Sequence, residues 1–250
     1  MSARCHWIAT DLDGTLFSRE YEGGAVPATW KRAVQEGGAP EPSSWMPGAR
    51  FALFSGLVEQ FRIVPVTARD WTSYSRVKIE KIPLNDGAIV SNGAILLQPG
   101  SMTPDPDWDA EVGPQLAEWA EPLSEMVALL TEKSGGRVVP RLVESHTPFP
   151  AYLVAKATVG YWSTPEGLEL RGHLAPFGCR VAEIGRELQV LPPPVGKPIG
   201  VTAFMRRYCE GKAPLLALGD MPEDMGFLSQ AAFMAAPVGS TLAERWCYAS

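Results

Sequence analysis

Short apolar runs alternate with helix-forming segments at both ends of this chain, and this alternation limits the possible folds more than any other feature of the sequence. Apolar runs at 7–10, 62–66 and 88–90 are separated by segments with helical spacing, and a fourth run at 214–218 lies between two further helical segments. Buried strands that alternate with helices are typical of a parallel sheet covered on both faces. We therefore predict an α/β fold with a Rossmann-like parallel-sheet core.

Residues 94–188 follow a different pattern. A helical stretch over 108–133, interrupted by a proline, is followed by two strands, a short helix and a hairpin around Gly185. This order of elements is typical of α+β structure. We predict that residues 94–188 form an α+β domain inserted into a core made of residues 1–93 and 189–250.

The segment 20–47 is rich in glycine and proline. We predict an extended excursion over the surface, with one short helix around residues 28–35. Nothing in its sequence shows whether it flanks a functional site.

Charge and composition argue against several classes of protein. The formal net charge is −6 and no basic stretch is present, which is unfavourable for nucleic-acid binding. No apolar run approaches the roughly 18 residues of a membrane span, and no signal peptide is recognisable. The four cysteines lack CxxC spacing, so we expect reduced thiols. A cytoplasmic protein without nucleic-acid or membrane partners is expected, and its oligomeric state is left open.

Polar residues follow the predicted core strands, and in open α/β sheets ligands bind at the carboxyl ends of the strands. Asp11 and Asp13 come directly after the first strand. Such a pair can combine cation binding, nucleophilic attack and proton transfer. The alternative is an ordinary solvated loop or a helix cap.

Thr67 and Lys197 occupy two comparable positions. Thr67 ends the strand at 62–66, where its hydroxyl would hold a phosphate oxygen, cap the next helix, or do both. Lys197 stands at the start of a predicted helix, where the helix dipole disfavours a cation. This mismatch suggests a phosphate or aspartate partner for Lys197, with a plain surface lysine as the alternative.

A further acidic segment follows the most apolar strand of the chain and has the sequence Gly219-Asp220-Met221-Pro222-Glu223-Asp224. If a helix begins at Pro222, Asp220 and Asp224 can both turn toward one metal ion. Alternatively, these acids only complement the helix dipole. That alternative explains Glu223 and Asp224 better than it explains Asp220.

Together these segments resemble the haloacid dehalogenase superfamily of phosphatases over essentially the whole chain. The first motif of that family is matched in full by Asp11-Leu12-Asp13-Gly14-Thr15-Leu16. Thr67, Lys197 and the segment 219–224 match the second, third and fourth motifs in the right order. The cap of the Cof-type branch is introduced by a segment that resembles Val90-Ser91-Asn92-Gly93-Ala94, and its α/β cap is inserted between the second and third motifs, where residues 94–188 fall.

The resemblance implies a phosphatase that acts on a small phosphorylated metabolite, with sugar phosphates favoured. It implies that Asp11 is the nucleophile and forms an aspartyl-phosphate. Asp13 would protonate the leaving alcohol and then activate water. Thr67 and Lys197 would hold the transferring phosphoryl group.

The resemblance also implies a Mg²⁺ site. Asp11, the backbone carbonyl of Asp13 and Asp220 would bind the ion, and Asp224 and Glu223 would lie next to these ligands. Glu223 departs from the family, which usually has Asn at this position. It could ligate the metal, alter its affinity or point away.

Two further residues are possible substrate contacts. The family's second motif is usually followed by Gly-Arg, and here Ala68-Arg69 follows Thr67. Arg69 and Asn92 are therefore possible substrate-binding residues. We expect little effect from Ala68, since alanine fits most backbone conformations with negative φ.

The cap should supply the pocket for the leaving group at the domain interface. Its candidate contacts, each of which could equally be a surface residue, are Arg141, Glu144, His146, Lys156 and Arg180. Tyr161 and Trp162 could stack on a sugar ring, although packing in the core is the expected role. The alternatives to hydrolysis are a phosphomutase or phosphotransferase that uses the same aspartate, and a catalytically degenerate binding protein.

Overall fold

The computed structural model describes residues 6–31 and 40–248. Within these residues the strands are β1 (Trp7–Thr10), β2 (Val26–Trp30), β3 (Pro42–Met46), β4 (Arg62–Pro65), β5 (Ala88–Val90), β6 (Ile95–Leu97), β7 (Val139–Glu144), β8 (Pro150–Lys156), β9 (Arg180–Ile184), β10 (Glu187–Leu191), β11 (Leu216–Leu218) and β12 (Phe233–Ala235). The α-helices are α1 (Gly48–Gln60), α2 (Trp71–Tyr74), α3 (Pro106–Ala117), α4 (Ala120–Lys133), α5 (Pro165–Leu174), α6 (Lys197–Tyr208), α7 (Met225–Leu228) and α8 (Thr241–Tyr248). None of the described helices is long and apolar enough to cross a membrane.

The central sheet has the strand order β12-β11-β1-β4, and all neighbouring strands in it are parallel. Val66, directly after β4, pairs in parallel with Ile89 of β5, which adds one more strand to this sheet. The predicted parallel-sheet core is confirmed. Because the strands are parallel, the polar segments that follow β1, β4 and β11 emerge at the same edge.

Side chains of β1 alternate between two hydrophobic clusters, because successive residues of a strand point to opposite faces. Trp7 and Ala9 are buried in one cluster with Phe204 of α6, and the ring centroids of Trp7 and Phe204 lie 5.7 Å apart. Ile8 is buried in the other cluster with Phe54 of α1. Burial on both faces explains why β1 is a continuous apolar run in the sequence.

A second sheet, antiparallel and with the order β7-β8-β10-β9, belongs to the insert. One of its faces packs against α4 and α5, where Leu153 and Leu188 are buried with Met126 and Leu170. Its other face covers the edge of the central sheet at which β1, β4 and β11 end. An α/β core with an inserted α+β cap is therefore the observed architecture.

Both ends of the cap differ from their predicted positions. Strand β10 pairs with β8 and β9, so the predicted boundary at residue 188 falls inside a cap strand. At the other end, β6 pairs with β5, and Trp108 of α3 is buried in the same cluster as Phe204 of the core. We propose that the cap proper spans residues 118–191.

The helix predicted around 28–35 is wrong over its first residues, which belong to strand β2. This strand pairs antiparallel with β3, and Thr29 is opposite Ser44. Thr29 also bridges to Val77, so pairing on both sides overrides the local helical pattern. Residues 32–39 lie outside the described part of the chain.

Two other predicted helices differ from the observed ones. The helix predicted near 70–80 is limited to α2, which Asp70 caps by accepting a 2.6 Å hydrogen bond from the N–H of Ser73. The chain then extends toward β2, where the N–H of Lys78 donates to the carbonyl of Ala28. The helix predicted over 108–133, with an interruption at Pro122, is two helices, α3 and α4, which are separated at residues 118–119, and Pro122 lies in the first turn of α4.

Candidate active site

Four loops of the core meet beneath the cap. Asp11 directly follows β1, and Asp220 comes two residues after β11. Thr67 comes two residues after β4, and Lys197 is the first residue of α6. All four line a cavity of about 740 Å³, which the cap sheet and the β2–β3 hairpin complete. The structure thus brings together side chains that are far apart in sequence.

Lys197 lies at the centre of the site. Its Nζ donates to Asp11 Oδ1 and to Asp224 Oδ1, both at 2.7 Å. Burial alone would lower the pKa of Lys197, but the two carboxylates outweigh it and raise this pKa above its ordinary value. These partners explain why a cation is tolerated at the N-terminus of α6.

Asp11 is buried and has one oxygen left for a ligand. Burial, together with Asp224 and Asp220 and against the opposing effect of Lys197, raises the pKa of Asp11 to about 7. Its Oδ1 accepts from Lys197, whereas no described residue donates a hydrogen bond to its Oδ2. Asp11 therefore combines a fixed orientation with an uncommitted oxygen on the cavity wall.

The loop after β11 is held in place by Asp224. Its Oδ2 accepts hydrogen bonds from the N–H groups of Asp220 and Met221 at 3.1 and 3.2 Å. Asp220 Oδ1 accepts from the hydroxyl of Thr15 at 3.0 Å. Burial and the neighbouring Asp224 raise the pKa of Asp220.

Gly14 is required by this contact between the first and fourth motifs. Its φ is +89°, and a Cβ atom there would lie 2.2 Å from Asp220 Oδ2. Any side chain at residue 14 would therefore displace the carboxylate of Asp220, besides straining the backbone.

Three carboxylates form a cluster that could hold a cation. Asp11, Asp220 and Asp224 each offer one oxygen, and these oxygens lie within 4.8 Å of one another. Oxygen ligands are those that Mg²⁺ prefers. The side chain of Asp13 is outside this cluster, which leaves its backbone carbonyl as the predicted ligand. Glu223 is exposed on the cavity wall, also outside the cluster.

Asp13 is paired with Arg69 instead. Arg69 Nε and Nη2 donate to the two oxygens of Asp13, each at 2.6 Å, and Nη1 donates to the hydroxyl of Thr29 at 2.9 Å. These hydrogen bonds of the Arg69 guanidinium link the first motif, the second motif and the β2–β3 hairpin. Sequence reasoning identified Arg69 as a possible substrate contact but did not foresee its pairing with Asp13.

Thr67 and Asn92 lie at the junction of core and cap. The hydroxyl of Thr67 accepts from the N–H of Arg69 at 3.2 Å, and its carbonyl accepts from the N–H of Asn92 at 3.0 Å. Asn92 Nδ2 donates to Gln189 Oε1 of the cap sheet at 3.0 Å. Both amide side chains line the cavity.

The turn that contains Asn92 has an unusual backbone. Ser91, Asn92 and Gly93 have φ values of 49°, 53° and 90°. A Cβ at Gly93 would lie 2.5 Å from the carbonyl oxygen of Gly196, directly before Lys197. Glycine is required here because the turn packs against the N-terminus of α6.

The predicted cap contacts divide into two groups. Arg141 and Arg180 line the cavity, whereas Glu144, His146 and Lys156 do not. Tyr161 and Trp162 are buried in the cap cluster, as expected for packing residues.

Sequence reasoning missed several cavity residues. Tyr152 lines the cavity and donates through its hydroxyl to the carbonyl of Ala68 at 2.7 Å. An aromatic residue in an apolar strand gives no signal of such a role. Period-2 alternation along the cap strands would have indicated it, once the opposite face was known to be buried. The other missed residues are Arg19, Thr29, Ser43, Ser44, Arg76, Glu187 and Gln189.

Comparison with known proteins supports the fold. The sequence matches no protein-family model and no curated protein sequence. A haloacid dehalogenase subclass IIB sugar phosphatase matches the structure with a TM-score of 0.60 at 15% identity, over 96% of this chain and 90% of that one. The sucrose-phosphatase of Synechocystis, solved with sucrose and phosphate, matches with a TM-score of 0.54 at 15% identity, over 98% and 87% of the two chains.

A trehalose-6-phosphate phosphatase related protein matches with a TM-score of 0.52 at 15% identity, over 92% of this chain and 91% of that one. At such identities the likeness establishes the fold alone. The chain has the fold of the haloacid dehalogenase superfamily phosphatases, including the inserted cap. The resemblance inferred from the motifs is confirmed at this level.

Proposed function

We propose that the chain is a magnesium-dependent phosphomonoester hydrolase that acts on a small phosphorylated metabolite through a phosphorylated Asp11. The observation that carries this proposal is the buried cluster in which Lys197 bonds Asp11 and Asp224 at 2.7 Å, with Asp220 beside them. The cluster offers a nucleophilic carboxylate, oxygens for a hard cation and a fixed positive charge in one place.

The donor set fits Mg²⁺. Three carboxylates share a single lysine, which leaves excess negative charge in a buried site. Both oxygens of Asp224 already accept from Lys197 and from backbone N–H groups. We therefore place Asp11, Asp220 and the backbone carbonyl of Asp13 around the ion, with Asp224 supporting them. When bound, the ion would polarise a phosphoryl oxygen and offset the repulsion between phosphate and Asp11.

In the first step, Asp11 Oδ2 attacks phosphorus and the bond from phosphorus to the leaving oxygen breaks, while Asp13 gives that oxygen a proton. In the second step, water passes a proton to Asp13 and attacks phosphorus, which breaks the bond to Asp11 and releases inorganic phosphate. Lys197 and the hydroxyl of Thr67 hold the phosphoryl oxygens. Because both oxygens of Asp13 accept from Arg69, proton donation requires Arg69 to release at least one of them.

We propose a phosphorylated sugar or polyol as the substrate. The cavity of about 740 Å³ is large enough for such a molecule. The paired amides of Asn92 and Gln189 can exchange hydrogen bonds with sugar hydroxyls. Two of the structural relatives are a sugar phosphatase and a sucrose-phosphatase, which is consistent with this class.

The test is phosphate release from p-nitrophenyl phosphate and a panel of sugar phosphates, with Mg²⁺ and with a chelator. We expect release that needs Mg²⁺, stops in the chelator and returns when Mg²⁺ is added back. In ¹⁸O-labelled water the released phosphate should carry label, because water attacks the phosphorylated Asp11. Full activity in the chelator would contradict the metal site. Transfer of the phosphoryl group to a second sugar without label would replace hydrolysis by phosphotransfer.

A further inference from the structure

The cavity wall carries more positive charge than one phosphoryl group requires. Besides Lys197, the arginines that line it are Arg19, Arg69, Arg76, Arg141 and Arg180. Two of these are engaged close to the catalytic cluster. Arg69 binds Asp13, and Arg180 donates to the carbonyl of Val195, two residues before Lys197. The other three, Arg19, Arg76 and Arg141, form no ion pair with any carboxylate of the described residues.

Four of the eight arginines elsewhere in the described chain are paired with a carboxylate. The ion pairs outside the cavity are Arg137–Glu166, Arg171–Glu183, Arg206–Glu111 and Arg207–Asp105. Acidic residues outnumber basic ones in this chain, whose net charge is −6. Three arginines that remain free of them in one cavity are therefore available to a ligand.

The nearby acids do not neutralise these arginines. Asp70 lines the cavity, but its side chain accepts from the N–H of Ser73 as the cap of α2. Glu187 is paired with Lys156 at 3.1 Å. Glu223 also lines the cavity, and none of the cavity acids forms an ion pair with Arg19, Arg76 or Arg141 within the described residues.

Arg141 belongs to the cap face that covers the cavity. Its cross-strand partner is Val154 of β8, which in turn is opposite Gln189 of β10, and both also line the cavity. Residues opposite each other in a sheet share a face. Arg141 is also near enough to Tyr152 to oppose the effect of burial on the Tyr152 pKa. Since Tyr152 bonds the carbonyl of Ala68, Arg141 lies above the loop that follows Thr67.

Arg76 and Arg19 flank the β2–β3 hairpin. The carbonyl of Arg76 accepts from the N–H of Trp30 at the end of β2, and its Nη2 donates to Ser73. Arg19 follows Ser18, which pairs with Trp45 of β3. In the same hairpin Ser44 lines the cavity, and its buried hydroxyl has no hydrogen-bond partner among the described residues. This part of the wall thus offers two cations and an unpaired hydroxyl.

We propose that Arg141, Arg76 and Arg19 form a second anion subsite, so that the leaving part of the substrate carries a carboxylate or a second phosphate. The inference rests on the proposed function, which assigns the phosphoryl group to Asp11 and Lys197. Guanidinium groups bind carboxylate and phosphate oxygens through charge-assisted, often bidentate, hydrogen bonds. A neutral sugar phosphate would leave all three arginines without a counter-charge.

The experiment compares substrates that differ only in the second anion. The pairs are glucose 1-phosphate with glucuronic acid 1-phosphate, glycerol 3-phosphate with 3-phosphoglycerate, and fructose 6-phosphate with fructose 1,6-bisphosphate. In each pair that the protein hydrolyses, we expect the doubly anionic member to have a kcat/KM at least about 10-fold higher. The first two pairs report on a carboxylate and the third on a phosphate.

The variants Arg141→Gln and Arg76→Gln should each lower that ratio of kcat/KM values by about 10-fold, toward 1. Arg141→Lys should lower this ratio less, because lysine keeps the positive charge but lacks the bidentate donor geometry of a guanidinium group. Arg186→Gln is the matched control: this arginine is exposed in the turn between β9 and β10 and does not line the cavity, so the ratio should not change. Melting temperatures establish that each variant is folded, and Arg19→Gln replaces any that is not.

The two proposals fail in different ways. Release of phosphate from no compound, p-nitrophenyl phosphate included, would overturn the proposed function and the subsite with it. Hydrolysis of the neutral members at least as fast as of the charged ones would overturn the subsite alone. A preference for the doubly anionic substrates that persists in both Arg141→Gln and Arg76→Gln would also overturn the subsite alone.

Discussion

The two sides of the cavity handle charge in opposite ways. On the core side, Lys197, Asp11 and Asp224 are buried and joined by 2.7 Å hydrogen bonds, so their charges are held in fixed positions before any ligand binds. On the side formed by the cap and the hairpin, Arg19 and Arg141 are exposed and unpaired among the described residues. Chemistry needs a coupled, desolvated cluster, whereas selection of a substrate needs charges that are free until the ligand arrives.

The largest expected effect follows from Asp11→Asn, on the core side. The substitution keeps the shape of the side chain but removes the negative charge of the proposed nucleophile. We expect kcat to fall by about 10⁴-fold or more on every substrate, charged or neutral. Released phosphate measured with Mg²⁺ present checks this. Arg141→Gln, on the other side, should instead change the ranking of substrates.

Folding must be intact for that comparison to hold. Because Asp11 is a buried carboxylate among other acids, its replacement by a neutral amide should not destabilise the protein. Circular dichroism and thermal melting provide the control. Near-normal turnover in a folded Asp11→Asn protein would remove the proposed nucleophile.

The core side could be predicted from the sequence because each of its residues is tied to a strand end. Asp11 and Asp220 follow apolar runs that can only be buried strands, and strands of a parallel sheet end at one edge. The odd position of Lys197 at a helix start pointed to a partner, and the structure provides two. These local sequence patterns were therefore sufficient to predict which distant residues meet at this edge of the sheet. The bidentate pairing of Asp13 was not foreseeable, because nothing near Asp13 in sequence indicates Arg69.

The side formed by the cap and the hairpin could not be predicted in the same way, because its structure depends on pairing between strands that are distant in the sequence. The strand-forming residues of β2 are interrupted by Pro27, which weakens their signal, and Thr29 is held between Ser44 and Val77. Tyr152 looks like any core aromatic until the buried face of the cap sheet is known. The cap boundary at 188 failed for a similar reason, since a hairpin signal does not show which sheet its second strand joins.

A smaller effect should appear in the stability of the metal-free protein. Asp11 has a pKa of about 7 in the folded state against 3.8 as its reference value. The folded state therefore holds a proton that the unfolded state has released, and the free energy of unfolding decreases as the pH rises from about 4 to 7. The loss is a few kcal/mol, at most ~4.

Chemical denaturation in a chelator at pH 5 and pH 7.5 measures this loss. Asp11→Asn should show a clearly smaller decrease, although Asp220, whose pKa is also raised, keeps part of it. Arg141→Gln should follow the wild type, because this side chain lies on the cap strand β7, outside the buried cluster of Asp11, Asp220 and Asp224. Parallel curves for wild type and Asp11→Asn would show that the core-side cluster is not coupled as described.

The smallest expected effect comes from removing the Tyr152 hydroxyl, which joins the cap side of the cavity to the core side. Tyr152 of the cap donates to the carbonyl of Ala68, next to Thr67, at 2.7 Å. Tyr152→Phe should lower the free energy of unfolding by about 1 kcal/mol and raise KM by a few fold, because the cap loses one bond to the loop that follows Thr67.

Tyr161→Phe is the matched control for this change. Tyr161 is also a buried cap tyrosine, but its hydroxyl has no hydrogen-bond partner in the structure. Its removal should therefore leave the stability unchanged or increase it, and KM should stay the same. If both variants lost the same stability with unchanged KM, Tyr152 would be a packing residue alone, and the cap and core sides would not be linked through Ala68.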